Sequence, residues 1–452
     1  MRYRHDTCHK NENKKAYTIS LSNESQANPI QAPELPEAAV PSLARADETG
    51  VIQIPRIARA LRNRDFRLFW SGNFLSNVGT WMQNVAQGWL VLQLTNSPFW
   101  LSVVGFASTI PILFLALIGG VIADHVDKRK LLMSTQTAMM VFAFALSALT
   151  YFHVINVLGI ALLAMGTGIA TALNTPSYQA LVPQLVPRDD LTNAIALNSA
   201  QFNMSRVLGP TLGGFAMALV GAAGNFFLNG LSFLAVILAL TRIRYTRAAA
   251  PGEGHLWSKL KQGFSYIANR EQMASLVMLA GIGSLLAVPY ITFIPYFDRD
   301  ILHSDERGLG TLMACSGVGA FFGALTIAHR GKTALQSRFV MSTGMGLFAA
   351  IFCFSFSRSF FLSGLLLMLV GYCMVCLVAT INSSLQHLAD DAMRGRVMSI
   401  YSTAFFGLPP IGSLIAGALT HLFTLPHVIA GMEVVGMAAF MWVFTTRKVS
   451  LQ

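Results

Sequence analysis

The chain has 452 residues, 54% of them hydrophobic and 12% charged, with a formal net charge of +11. A soluble domain carries about twice that share of charge, so this composition excludes an ordinary water-soluble protein and points to lipid. The basic residues sit in short segments between apolar runs, which fits membrane topology better than a nucleic-acid surface.

Residues 1 to about 60 hold Asn, Glu, Pro, Ser and scattered Lys, with no apolar run of signal-peptide length. They are expected to form a disordered cytoplasmic tail, with a start codon placed too early as the open alternative. Twelve apolar windows long enough to span a bilayer follow: 67–94, 98–122, 131–152, 155–175, 192–220, 224–242, 273–298, 308–329, 338–357, 360–385, 396–421 and 426–446. An even number places both termini on one side. From Arg56 onward the loops on that side carry 22 Lys or Arg, whereas the other side carries Arg299, Arg307 and Arg358. The positive-inside rule makes the basic side cytoplasmic, in the inner membrane of the cell.

Span 1 carries Asn73, Asn77, Thr80, Asn84 and Gln87 at intervals of four, three, four and three, which is one helix face. Interhelical hydrogen bonds, worth about 1 kcal/mol each, can explain a polar residue or two. Five in register suit the lining of a wet cavity. Between spans 2 and 3, Gly120 precedes a burst of charge: Asp124, His125, Asp127, Lys128 and Arg129. Such a burst must lie in water at a turn, where it can pin neighbouring helix ends and release them. Span 4 adds Thr167, Thr171 and Asn174 to the polar theme.

Arg206 is the only Lys or Arg deep in a span. It shares a face with Asn203 and Pro210, and is expected to attract anionic cargo or a carboxylate; carbonyls freed at Pro210 are the structural alternative. Gly209, Pro210, Gly213 and Gly214 suit close helix approach with a bend, either as plain packing or as a barrier to leakage. In the linker between spans 6 and 7, Trp257, Leu260, Phe264 and Ile267 recur at helical spacing. That predicts either a helix on the membrane surface or an amphipathic linker.

In the second half, Tyr290, Phe293 and Phe297 of span 7, Tyr372 of span 10, and Tyr401 and Phe405 of span 11 would suit a flat or aromatic solute if they are more than packing. Glu433 is the only carboxylate well inside a span, and it and Asp298 are candidates for proton coupling. His387 and His421 are read as interfacial. Of five cysteines, four lie in apolar runs, and Cys373 and Cys376 are read as small packing residues. Gly331-Lys332-Thr333 lacks the first glycine of a phosphate loop, and neither an H-E-x-x-H nor a G-x-S-x-G sequence occurs. No metal, cofactor or catalytic site is expected.

A shift of 203 residues lays Gly120 on Gly323, Ser199 on Ser402, Phe202 on Phe405, Gly209 on Gly412 and Gly214 on Gly417. One unbroken offset across two helix pairs indicates duplication, and parallel repeats with a site between them are a transporter layout. The predicted organisation is a tail (1–60), a six-helix bundle (61–242), a linker (243–272) and a second six-helix bundle (273–452).

Gly120, Asp124, Lys128 and Arg129 fit the loop motif G-x-x-x-D-R/K-x-G-R/K-R/K, and with it the chain resembles the major facilitator superfamily. His125 replaces the usual base and Asp127 the usual glycine, the latter as in exporters of siderophores and macrolides. Phe66-Arg67-Leu68-Phe69-Trp70-Ser71-Gly72, Asn174-Thr175-Pro176, Leu185-Val186-Pro187-Arg188, Asn193-Ala194 and Asn198-Ser199 are similar to that subgroup, and Gly209 to Gly214 match the G-P-x-x-G-G motif of antiporters. Leu162 stands where many proton antiporters carry an arginine, so their proton relay does not transfer.

The resemblance implies an all-α fold of twelve helices in which helices one, four, seven and ten enclose a cavity. It also implies a monomer that exports a small amphipathic molecule against protons, with Asp124 and Arg129 latching the cytoplasmic ends when the outside is open. An importer on the same scaffold, and a membrane sensor or scaffold that transports nothing, are the alternatives.

Overall fold

The computed structural model describes residues 56–243, 256–330 and 337–447. Most of the predicted tail and the Gly331-Lys332-Thr333 run lie outside the described residues. So do the surroundings of Gly120 and the side chains of Asp124, Trp257 and Leu260, though the backbone at all four is helical.

Every regular element among the described residues is helical. Helix α1 is Arg64–Thr95, α2 Pro98–His125, α3 Lys128–Tyr151, α4 Val157–Leu181, α5 Leu191–Arg242 and α6 Leu256–Ala268. They are followed by α7 Glu271–Ile282, α8 Tyr290–Tyr296, α9 Glu306–Arg330, α10 Ser337–Phe356, α11 Phe360–Leu388, α12 Asp391–Leu419 and α13 Leu425–Thr446. In lipid a chain must satisfy its own backbone, which the helix does locally.

Ten segments are long and apolar enough to cross a membrane. One of them holds two spans, because Gly221 within α5 adopts φ 68°, ψ −179°. A side chain would resist that conformation, and the chain reverses there into two limbs, 191–220 and 222–242. The Asn225 amide then donates to the Gly213 carbonyl at 2.9 Å, tying limb to limb. Helix α1 completes the twelve, its average hydropathy lowered by its polar residues. The seventh span is α7 and α8 joined by a π-helical turn at Gly283–Ala287 and extended by another at Phe297–Ile301. Pro289 and Pro295 withdraw donors from this stretch, and local rewinding accommodates the loss.

The spans form two bundles. In the first, α1 lies along both limbs of α5, α2 packs on α4, and α3 on α4 and α5; in the second, α9 packs on α11, and α10 on α11 and α13. The bundles meet where α5 touches α9 and α2 touches α12. The glycines matched by the 203-residue offset make equivalent contacts. Gly209 abuts Val78 and Trp81 of the first span, and Gly412 abuts Leu285 and Pro289 of the seventh. Gly214 abuts Glu306 and Gly310 of the eighth span, and Gly417 abuts Phe99 and Ser102 of the second. Each repeat thus uses one glycine inside its bundle and one across to the other.

Helix α6 forms where the spacing predicted it, but its apolar stripe divides: Ile267 is buried and Phe264 is exposed. It docks on the second bundle. The Tyr266 hydroxyl donates to Asp390 Oδ2 at 2.7 Å, Arg270 Nη2 donates to the same oxygen at 2.9 Å, and Arg396 Nη1 donates to Gln262 Oε1 at 2.8 Å. The Tyr266 hydroxyl, then Arg270, hold the Asp390 carboxyl below the usual carboxylate range. Docking is therefore present at neutral pH and weakens as pH falls through the depressed value. Arg270→Ala is expected to speed protease cleavage within α6 several-fold; cleavage at the wild-type rate would show that the ion pair does not hold the helix.

Candidate functional site

The stripe on α1 is not consumed by packing. Its neighbouring face is: Gly72, Ser76, Gly79 and Gln83 are buried. On that face Gln83 Oε1 accepts a hydrogen bond from Asn229 of α5 at 2.7 Å, and Gly79 abuts Asn229 and Ser232. Along the stripe, Asn73 is buried beside the Tyr178 hydroxyl of α4. Asn77, Thr80 and Gln87 are half-buried and Asn84 is exposed. The Thr80 hydroxyl donates to the Ser76 carbonyl of its own helix at 2.9 Å.

The helix-four residues turn elsewhere. Asn174 Oδ1 accepts from Thr135 Oγ1 at 3.1 Å and Gln136 Nε2 at 3.3 Å, both on α3. The Thr171 hydroxyl donates to the Thr167 carbonyl at 2.8 Å and lies 3.7 Å from Met139 Sδ. Their polarity joins α4 to α3, as interhelical hydrogen bonds do in a bundle. Tyr290 and Phe293 are fully buried in the second bundle. Tyr372 is half-buried against Phe339 and Cys376. None of these three rings is laid open to a solute in this state.

Arg206 is half-buried where α5 crosses α9, next to the contact of Val207 with Gly317. It lies within electrostatic reach of the Tyr290 hydroxyl, as does Glu433. Glu433 has no exposed surface, and neither carboxyl oxygen has a hydrogen-bond partner among the described residues. Charging such a group in a dry site is costly. Asp298 is also buried, beside Ser304 and the Leu309 amide but without a hydrogen bond of normal geometry, and Asp305 and Glu306 are near.

The close contacts joining the bundles run from mid-membrane to the end opposite the basic loops. They include Gly407 with Leu113, Val207 with Gly317, Gly214 with Gly310, Gly417 with Ser102 and Gly88 with Pro295. At that far end Arg299 Nη1 donates to the Leu92 carbonyl of α1 at 2.8 Å, while its Nε and Nη2 hold Asp300 at 3.1 and 3.0 Å. A cation in the last turn of α1 also meets the negative end of its dipole. At the basic end, the hydrogen bonds of Arg129 and Asp127 stay within the first bundle. Arg129 Nη2 donates to the Thr241 carbonyl at the end of α5 at 2.8 Å, and Lys128 is half-buried. Asp127 accepts from the Lys130 amide at 3.1 Å and so caps α3, which gives the residue in the usual glycine place a local purpose.

Sequence reasoning missed three participants. Arg299 counted only as a stray basic residue. Gln201 and Ser205, two turns and one turn before Gly209 on α5, are fully buried, with no partner among the described residues for the Gln201 amide or the Ser205 hydroxyl. Their i, i+4 spacing with Gly209 could have placed them on the face of α5 that meets α1.

A sequence profile of the family described as transmembrane secretion effector matches residues 58–451. The chain is 24% identical over 392 residues to the staphyloferrin A transporter of Staphylococcus aureus (strain NCTC 8325 / PS 47), covering 85% of this chain and 97% of that protein. It is 24% identical over 356 residues to the multidrug efflux pump Tap of Mycolicibacterium fortuitum, covering 76% and 86%. It is 23% identical over 360 residues to the enterobactin exporter EntS of Shigella boydii serotype 4 (strain Sb227), covering 79% and 86%. The fold is that of an inward-facing bacterial homologue of ferroportin (TM-score 0.66, 15% identity, 84% of this chain and 98% of that one). It is also that of an inward-facing bacterial homologue of Spinster (TM-score 0.63, 15% identity, 88% and 98%).

Proposed function

Because the chain belongs to the transmembrane secretion effector family of the major facilitator superfamily, we propose that it exports a small amphipathic molecule across the inner membrane in exchange for protons. One observation carries the proposal. A polar face of α1 and a membrane-buried arginine border a junction of two bundles whose close contacts lie away from the basic loops. With the basic loops on the cytoplasmic side, this state opens inward, where an exporter loads its cargo. The protein works as a monomer with both termini in the cytoplasm.

Asn73, Asn77, Thr80, Asn84 and Gln87 offer neutral hydrogen bonds to cargo, and Arg206 offers a positive charge. Glu433 carries the proton, with Asp298 as the second acid available to do so. Gly209 and Gly213 let α5 pivot against α1, while Pro210 and Gly214 let it close on α9. In the opposite state Asp124 and Arg129, set by Gly120 and Lys128, latch the cytoplasmic ends. The relatives named for staphyloferrin A and enterobactin support a siderophore as cargo, and the one named as a multidrug pump supports a hydrophobic drug. Siderophores bear acidic donor groups, which gives Arg206 its use.

Inverted vesicles with an inside-acid proton gradient test this directly, with staphyloferrin A, enterobactin and ethidium as probes. At least one probe should accumulate. Loss of a charge-assisted contact worth about 1.5–3 kcal/mol predicts that Arg206→Ala lowers siderophore uptake roughly 10- to 150-fold, with Arg206→Lys retaining part. Asp124→Asn should impair uptake at normal membrane levels. Failure of every probe to move would defeat the proposal. Wild-type uptake by both Arg206 variants would remove Arg206 from it.

A further inference from the structure

A short helix at the basic end precedes the first span of each bundle, and it grips the start of that bundle's fifth span. In the first bundle this is a 3-10 helix, Arg56–Arg62, just before α1. Arg59 Nε lies 2.8 Å from Asp190 Oδ1, as an ion pair and not an aligned hydrogen bond. Asn63 Nδ2 donates to Asp190 Oδ2 at 3.2 Å, and the Ala60 amide donates to Asn193 Oδ1 at 2.8 Å. Asp190 stands immediately before α5. In the second bundle α6 precedes α7 and holds Asp390, immediately before α12, through Tyr266 and Arg270. The Tyr266 hydroxyl also accepts from the Asp390 amide at 3.1 Å, and the Arg270 guanidinium stacks 4.1 Å from the centre of the Tyr266 ring.

The two clasps are copies. The 203-residue offset lays Ala60 on Gly263, Asn63 on Tyr266, Arg67 on Arg270 and Asn193 on Arg396. Ala60 and Gly263 are both buried, and each meets the partner the offset assigns: Ala60 meets Asn193, and a Cβ added at Gly263 would lie 3.2 Å from Arg396 Cβ. The aspartates depart by three residues, about one turn, since the offset carries Asp190 to Met393. The cation has moved as well. Arg67 turns back to the Leu61 carbonyl at 3.2 Å, and Arg59 takes its place.

What the clasps do follows from the spans they join. Helices α5 and α12 carry Gly214 and Gly417, which meet the opposite bundle. Helix α1 carries the polar stripe, and the seventh span carries Arg299, which reaches the Leu92 carbonyl. Building on the exporter described above, we propose that Asp190 and Asp390 are positioning residues of the transport cycle, each tying the seam helix of its bundle to the first span of that bundle so that their basic ends swing as one. Without a clasp, motion that starts at the seam is spent in bending at the basic end. Asn63 precedes Asn73 by ten residues, about 15 Å along α1, so the first clasp lies off the cargo face and sets turnover, not affinity. The first clasp also excludes more water. The Arg59 and Asp190 side chains keep 56% and 10% of their exposure, against 42% and 63% for Arg270 and Asp390, so its loss has the larger effect.

Amide hydrogen exchange of the full chain in lipid nanodiscs tests the clasps without cargo. Arg59→Ala should quicken exchange over residues 191–198, across the clasp from the substitution, roughly 2- to 12-fold, the equilibrium equivalent of one polar contact. Arg59→Lys should keep part of the protection. Tyr266→Phe, which retains the ring, should quicken exchange over residues 391–398 by less. In inverted vesicles both Arg59→Ala and Tyr266→Phe should lower the maximal uptake of whichever probe accumulates, with the half-saturating concentration and the membrane level unchanged. A merely structural role would lower the membrane level instead. Wild-type exchange in Arg59→Ala, or faster exchange with undiminished maximal uptake, overturns the inference and leaves the exporter standing. If no probe moves in the wild type, the exporter and this inference fall together.

Discussion

Gly214→Leu is expected to abolish transport while the protein remains folded in the membrane. A Cβ at Gly214 would stand 2.6 Å from the Glu306 carbonyl oxygen and 2.8 Å from the Gly310 Cα. Both are backbone atoms and cannot rotate away. Overpacking of this kind costs about 1–3 kcal/mol, and each 1.4 kcal/mol is tenfold in an equilibrium. Alanine should therefore shift the state with this end closed roughly 5- to 150-fold toward opening, and leucine should prevent closure. The strain falls at the junction of α5 with α9, whereas Gly209 and Gly213 keep α5 seated on α1. Folding of the first bundle is thus spared. Labelling of Ser102→Cys, buried in the seam with Gly417, should rise from the side opposite the basic loops. Normal uptake by Gly214→Leu would show that this crossing does not have to close.

Arg299→Ala should open the same end by a different route. The guanidinium ties the seventh span to the end of α1 through the Leu92 carbonyl and is itself oriented by Asp300. Charge-assisted hydrogen bonds contribute about 1.5–3 kcal/mol. The Arg299 and Asp300 side chains keep 21% and 32% of their exposure, so water screens the pair and the lower part of that range applies. A rise of roughly tenfold in the open population follows, read from the distance between spin labels at Ser97→Cys and His303→Cys in protein lacking native cysteines. Arg299→Lys keeps the charge but lacks the fork that grips Asp300 while reaching Leu92, and should give an intermediate shift. An unchanged distance distribution in Arg299→Ala would mean that the glycine contacts close this end unaided.

How much of the site could be read from sequence differs by helix. The shared face from Asn73 to Gln87 was legible because a 3.6-residue period survives any packing arrangement, whereas the burial of Asn73 and the exposure of Asn84 were not. Asn174 looked the same on paper. Its carbonyl instead serves Thr135 and Gln136, because a polar residue in a span can satisfy itself on a neighbouring helix as well as on cargo. Tyr290 and Phe293 were legible as aromatic and not as buried, since residue type alone does not say which way a ring points. Arg299 was counted for topology, yet its hydrogen bond spans 207 residues of sequence.

Composition and periodicity by themselves determined a polytopic helical protein, its twelve spans, the basic side, the duplication and the polar face of α1. These rest on lipid solvation and on repeats along one chain, which act locally or at a constant offset. Tertiary structure alone decided which glycines join the bundles, that Arg299 reaches the Leu92 carbonyl, and that Glu433 has no exposed surface. Helices this long can face one another in many registers at similar local energy. The register is chosen by close backbone approach at Gly214 and Gly417, a property of pairs of helices and not of either one.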